Sequence, residues 1–165
     1  MARRGFTCFS SIREESVMKI LSVVIATLLL LAPLVAQAAE TPVGSVKTVK
    51  GTASIVRGTT VVEAKSGTRV YRNDTLRTGS NGTLSMVFRD DTLLSVGPGS
   101  ELSVNEFLFS PGEGKLSIIT RLLKGSAVYM SGIIARLSPQ SVRFETPVAN
   151  IGIRGTLFAV KVDPE

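Results

Sequence analysis

The sequence predicts an all-β domain of many short strands, closed as a β-sandwich or roll or stacked as a short β-solenoid, behind an N-terminal hydrophobic signal helix. Residues 72–104 carry most of this prediction. There Leu84, Met86 and Phe88 alternate with Ser85, and Leu94 and Val96 lie opposite Leu93 and Ser95. Gly, Pro, Asn and Asp punctuate these runs, and a period of two broken by such residues signals strands and turns. The flanking runs are rich in Val, Thr and Ile, whose branched side chains pack well on a pleated surface.

The N-terminal 38 residues stand apart. Arg3, Arg4, Arg13 and Lys19 precede an apolar run over 20–39 that contains Ala36, Gln37 and Ala38. That small-x-small end is what a signal peptidase accepts, so 1–38 reads as a signal peptide cleaved after Ala38. Pro33 disturbs a continuous helix near that point. The same run is just long enough to cross hydrocarbon, so the competing reading is an inner-membrane anchor through residues 20–39. Glu14 and Glu15 interrupt the basic region and Met18 with Lys19 forms an ordinary signal-peptide start, which marks 1–17 as a mis-assigned upstream extension. Cys8 precedes the run and marks no lipoprotein cleavage site.

Residues 39–165 suffice for one domain. Cys8 is the sole cysteine and histidine is absent. This rules out an intramolecular disulfide framework and removes the commonest general base and transition-metal ligand. The chain has a net charge of +6. Removing the four basic and two acidic residues before Ala39 leaves fifteen against eleven, or +4. Spread along strands, that charge suits solubility and mild attraction to anionic envelope surfaces, not nucleic acid.

In chain order, residues 43–49, 52–57 and 60–62 read as strands around Gly51 and Gly58, with a first hairpin among them. Lys65, Ser66 and Gly67 form a break, and Asn73 with Asp74 turns the chain toward Leu76. Asn81 and Gly82 carry the strongest local turn signal, since both tolerate the left-handed geometry of tight hairpins. Asp90 and Asp91 read as solvated formers of the next turn, at a two-residue hairpin tip. Gly followed by Thr or Ser recurs at Gly67, Gly82, Gly99, Gly125 and Gly155, a degenerate repeat that fits solenoid coils or meander hairpins equally.

Residues 110–114 predict a surface loop. Residues 115–123 predict a central strand covered on both sides or a short helix, because Ile119 and Leu123 make the second face apolar too. Residues 131–141 are a connection that folds over the core or adds a short strand. Over 142–162, Thr146 and Pro147 separate two alternating runs, Gly155 permits close backbone approach, and Phe158 with Val160 resumes the apolar face.

Little here carries chemistry. Neither phosphate-loop glycine pattern is present. Asp74, Asp90, Asp91 and Glu101 lack calcium-loop spacing, and the serines lack a histidine partner. No cofactor and no metal site is expected. Arg154, between Ile153 and Gly155, is the charged residue that stands out, suited to fixing the last strand through carbonyl or carboxylate contacts.

Residues 44–58, 73–79, 84–94 and above all TPVANIGIRGTLFAV over 146–160 resemble the FecR domain of bacterial envelope proteins. Within that block Thr146 and Pro147 match the motif's opening, and Arg154, Gly155 and Thr156 its core, with Phe158 following. The resemblance implies a periplasmic all-β domain. In regulatory members it is joined through one membrane helix to a cytoplasmic tail controlling an extracytoplasmic-function sigma factor, and it receives a signal from an outer-membrane TonB-dependent siderophore transducer. This chain departs from that pattern in three places. Residues 1–18 are too short for the cytoplasmic domain, Asp91 replaces a usual glycine, and the chain stops where members commonly continue into another strand, as a domain truncated at the C-terminus would. The expectation is an exported, non-catalytic module that binds another envelope protein or a surface polymer. The alternative is a membrane-anchored component of iron-responsive signalling.

Overall fold

The structure, a computed structural model, describes residues 40–153 and 157–163. The expected signal peptide, anchor and upstream extension lie outside the described residues, as do Arg154, Gly155 and Thr156. Among the described residues twelve strands form one sheet, curled into an open half-barrel. They are β1 (Gly44–Lys50), β2 (Ala53–Arg57), β3 (Thr60–Glu63), β4 (Arg69–Val70), β5 (Thr75–Thr78), β6 (Thr83–Phe88), β7 (Leu93–Val96), β8 (Glu101–Ser110), β9 (Lys115–Met130), β10 (Val142–Glu145), β11 (Asn150–Gly152) and β12 (Leu157–Val162).

The curl comes from four long antiparallel runs, each bent at a glycine. β1 continues into β2 past Gly51, β5 into β6 past Gly79 and Gly82, and β7 into β8 past Gly97 and Gly99, while β9 bends within itself at Gly125. On one side of the bend the neighbours run β4-β1-β6-β7-β9-β12, and on the other β3-β2-β5-β8-β9-β10-β11. We call these the first and second halves. The 16-residue β9 belongs to both. Strands that bend and switch sheets in this way make the corners of folded-over β structures.

Side chains and backbone knit the corner across the four runs. Thr78 N donates to Ser100 O (3.0 Å), Ser100 N to Thr78 Oγ1 (2.9 Å) and Thr78 Oγ1 to Gly97 O (2.6 Å). Ser126 N donates to Ser100 Oγ (2.9 Å), and Gly79 N to Thr52 O (2.8 Å). The runs approach so closely that a Cβ on Gly82 would overlap the Thr52 carbonyl and one on Gly125 would overlap Ser100.

The inner faces meet in one core. The alternation read over 72–104 holds: Leu84, Met86, Phe88, Leu94, Val96, Leu102 and Val104 are all buried. Phe88 of the first half stacks on Phe107 of the second at 5.4 Å. β9 is the expected central strand, flanked by β8 and parallel β10 in one half and by β7 and β12 in the other, but it is not covered on both faces, since Arg121 and Leu123 are exposed. The 110–114 segment is an exposed 3-10 turn, as expected.

Several expectations need correction. A solenoid would stack parallel strands, yet every ladder among the described residues is antiparallel except β9–β10. The glycine recurrence instead marks corners at Gly82, Gly99 and Gly125. Asn81 and Gly82 do lie in a turn, where Gly82 N donates to Gly79 O (2.9 Å), but it is no hairpin, because β5 and β6 pair with other strands, and neither residue has positive φ; Gly82 serves close approach at the bend. The first hairpin is β2–β3 at Gly58, while β1 and β2 lie in different halves. Asp91 is an exposed turn former at φ +64, where a glycine would rest more easily. Asp90 is not solvated: it is fully buried, accepting from Thr92 N, Thr92 Oγ1 and Ile134 N. The 131–141 connection adds no strand but a short helix, α1 (Ile133–Leu137), which the Asp90 carbonyl and carboxylate hold by the amides of Ile133 and Ile134.

The far end of the second half has its own clip. Asp74, fully buried, accepts from Arg57 Nε (2.9 Å), Arg57 Nη2 (2.7 Å) and Tyr71 N (2.8 Å), while the Arg57 guanidinium lies 4.3 Å over the Tyr71 ring. This bidentate contact raises the Arg57 pKa further. Arg57→Met leaves the buried carboxylate with the Tyr71 amide as its remaining bond and should cost about 2 kcal/mol in urea denaturation. Gly82→Ala should cost well over about 1 kcal/mol by the same measurement, because the added methyl meets backbone. Gly58→Ala, at φ +56 but facing open space, should lose about 1 kcal/mol from backbone strain alone.

Candidate functional site

The residues singled out by sequence do not converge on one site. Thr146 and Pro147 form the β10–β11 turn, in which Thr146 N donates to Ala149 O (2.8 Å) and Ala149 N to Thr146 Oγ1 (3.0 Å). Proline fits the first central position of such a turn, and the hydroxyl closes it. Val148 at the tip is 85% exposed. Asn81 and Gly82 sit at the corner, and Asp90 and Asp91 at the far end of the first half.

Phe158 joins a cluster that the sequence did not reveal. Its ring stacks on Tyr129 at 5.2 Å and meets Phe144 edge-on at 5.4 Å, while Tyr129 and Phe144 are 6.0 Å apart. Tyr129 and Phe158 belong to the first half and Phe144 to the second, so the triad bridges the concave side. Such offset and edge contacts add to the burial of the rings themselves. Three aromatics separated by 14 or 15 residues give no local periodicity, and only the return of β10 and β12 onto β9 brings them together.

Among the described residues no three His, Cys, Asp or Glu side chains are placed to hold a metal ion. Asp74 and Asp90 lie at opposite ends of the fold, each consumed by structural hydrogen bonds. Neither is free to act on a substrate.

The convex faces of the halves differ. In the second, cross-strand neighbours Glu63, Ser54, Arg77, Glu101 and Lys124 form a polar row. Within it Arg77 Nη2 pairs with Glu101 Oε1 at 2.8 Å and Lys124 Nζ approaches Glu101 Oε2 at 3.9 Å. In the first half Val128 (43% exposed), Met130 (42%) and Leu157 (64%) present apolar surface on β9 and β12. The outer edge of β12 has no partner strand among the described residues.

Tyr129 supplies a pH test of the cluster. Its hydroxyl is buried beside Thr92 without a well-aligned partner, and burial pushes its ionisation well above the usual phenol range. The stability tied to neutral Tyr129 is therefore present below about pH 10, the unfolded phenol value, and is lost as pH rises toward its folded value. Tyr129→Phe should remove that alkaline loss. At neutral pH it should be unchanged or more stable by up to about 1 kcal/mol, since it deletes an unsatisfied buried hydroxyl. Thermal melts of both proteins across alkaline pH check this.

No curated protein and no solved structure matches the chain significantly. The family model described as FecR protein matches residues 74–165, more than half of the chain, from the Asp74 clip through the β10–β12 block. The chain belongs to the FecR family.

Proposed function

We propose that the protein is an exported, non-catalytic module of the bacterial envelope that works by holding another envelope protein, with a surface polymer as the other candidate ligand. The single observation that carries this reading is the family match over a domain whose buried acids are occupied structurally while apolar side chains stand exposed on β9 and β12. A sheet that exposes aligned apolar side chains is suited to contact, and turnover would need free acid–base groups converging on a cleft. Periplasmic or secreted location follows from the cleavage-like end of the leader. No described helix is long and apolar enough to cross a membrane. Retention of residues 20–39 as an anchor would favour the second reading, a component of siderophore-responsive signalling to a sigma factor.

N-terminal sequencing of the protein recovered from envelope fractions separates these readings. A chain starting at Ala39 supports export and release, and one starting at Met1 or Met18 supports anchoring. Crosslinking in living cells followed by purification should recover a defined envelope protein, a TonB-dependent receptor if the signalling reading holds. Wall polymer in place of protein would replace the partner class.

A further inference from the structure

One cross-strand row spans the convex face of the first half: Arg69 on β4, Ser45 on β1, Val87 on β6, Leu93 on β7, Met130 on β9 and Leu157 on β12. Directly paired residues share a face, so these six side chains point outward together. Five inter-strand spacings make the row about 24 Å long. It begins beside a shallow groove of about 290 Å³, where Pro42 and Val87 form an apolar floor and Arg69 and Arg89 the rim. Neither of these exposed guanidiniums has an ion-pair partner among the described residues. The row is thus cationic at one end, polar at Ser45 and apolar from Val87 to Leu157.

We propose that this row docks an amphipathic helix of a protein partner, with an apolar stripe on Val87, Leu93, Met130 and Leu157 and carboxylates against Arg69 and Arg89. This deepens the binding-module reading and rests on it. Several features select the occupant. A partner strand would add to the edge of β12 and run along the strands, whereas this row crosses them. A helix of about sixteen residues matches its length and touches a single stripe. A lipid surface would also cover the adjacent Ser85–Ser95 hydroxyl pair (2.8 Å), which a helix resting on one row leaves hydrated. A second copy related by a twofold would set Arg69 of one chain against Leu157 of the other, without a countercharge. The unpaired arginines instead call for carboxylates, and such complementarity sets orientation and encounter rate.

The probe is a fluorescein-labelled helix of about sixteen residues with Leu on one stripe and Glu at one end, compared with a twin carrying Lys for Glu. Titrated with full-length protein in fluorescence anisotropy, the Glu peptide should bind more tightly than the Lys peptide by about tenfold or more, with affinity falling as salt rises. Arg69→Glu with Arg89→Glu should reverse that preference, and Leu93→Asn should weaken both peptides; unchanged urea midpoints establish that the variants fold. Equal binding of both peptides, or a preference that survives the double charge reversal, overturns the proposal. So does displacement of the peptide by phosphatidylglycerol vesicles that themselves need Arg69 and Arg89, which would give the row to a membrane. Capture of a partner through photocrosslinkers at Val61 on β3, with none at Leu93, would remove this surface and leave the binding-module reading standing.

Discussion

The close backbone approach at the corner is the constraint on which the rest of the structure depends. Four runs must bend at the same level, and at Gly82 and Gly125 the neighbouring chain occupies the space a Cβ would take. Thr78, Ser100 and Ser126 then supply the donors and acceptors that the bent strands cannot give one another. The Thr78 and Ser100 hydroxyls are buried or half-buried there and are satisfied within the corner, while Ser126 contributes its backbone amide. Once the bend is set, the inner faces oppose each other and the alternating apolar residues become one core. The register of every cross-strand row on both convex faces follows from it.

Much of this was legible in the residues. Alternation over 83–96 predicted which side chains go inward, because a period of two is a property of the strand itself. The glycine recurrence was visible too, but its meaning was not. A glycine required for close approach and a glycine required for positive φ look alike in a sequence, and Asn81-Gly82 has the composition of a hairpin turn. What decides is the neighbour in space, the Thr52 carbonyl, thirty residues earlier in the chain. Turn chemistry is local and could be read at Thr146 and Pro147. Corner chemistry is not local.

The same distinction separates the two aspartates of the 89–92 loop. Adjacent acids at a turn look like solvated turn formers, and Asp91 is one. Asp90 instead points inward because the returning segment before β10 brings the amide of Ile134 to its carboxylate and that of Ile133 to its carbonyl. Asp74 repeats the pattern at the other end, with Arg57 reaching it from the β2–β3 hairpin. In both cases the acid closes an end of the half-barrel where strand pairing has run out. Backbone amides or one arginine serve there in place of another ladder. Removing one member of such a contact leaves a buried carboxylate short of partners, so these acids are fixed by the fold.

The convex faces carry the remaining step from structure to role. Both halves curl by the same corner, so curvature imposes no difference on their outer rows. The second half nevertheless places charges in alternation and lets them satisfy one another around Glu101, while the first places Val87, Leu93, Met130 and Leu157 in line and leaves Arg69 and Arg89 without countercharges among the described residues. A surface meant only for solvent would gain nothing from that arrangement, since apolar side chains aligned across strands expose a continuous strip to water. Scattered singly they would need no explanation. It is their alignment, beside two arginines, that sets this row apart from Val61, Leu108 and Leu123, which are exposed in different cross-strand rows of the second half.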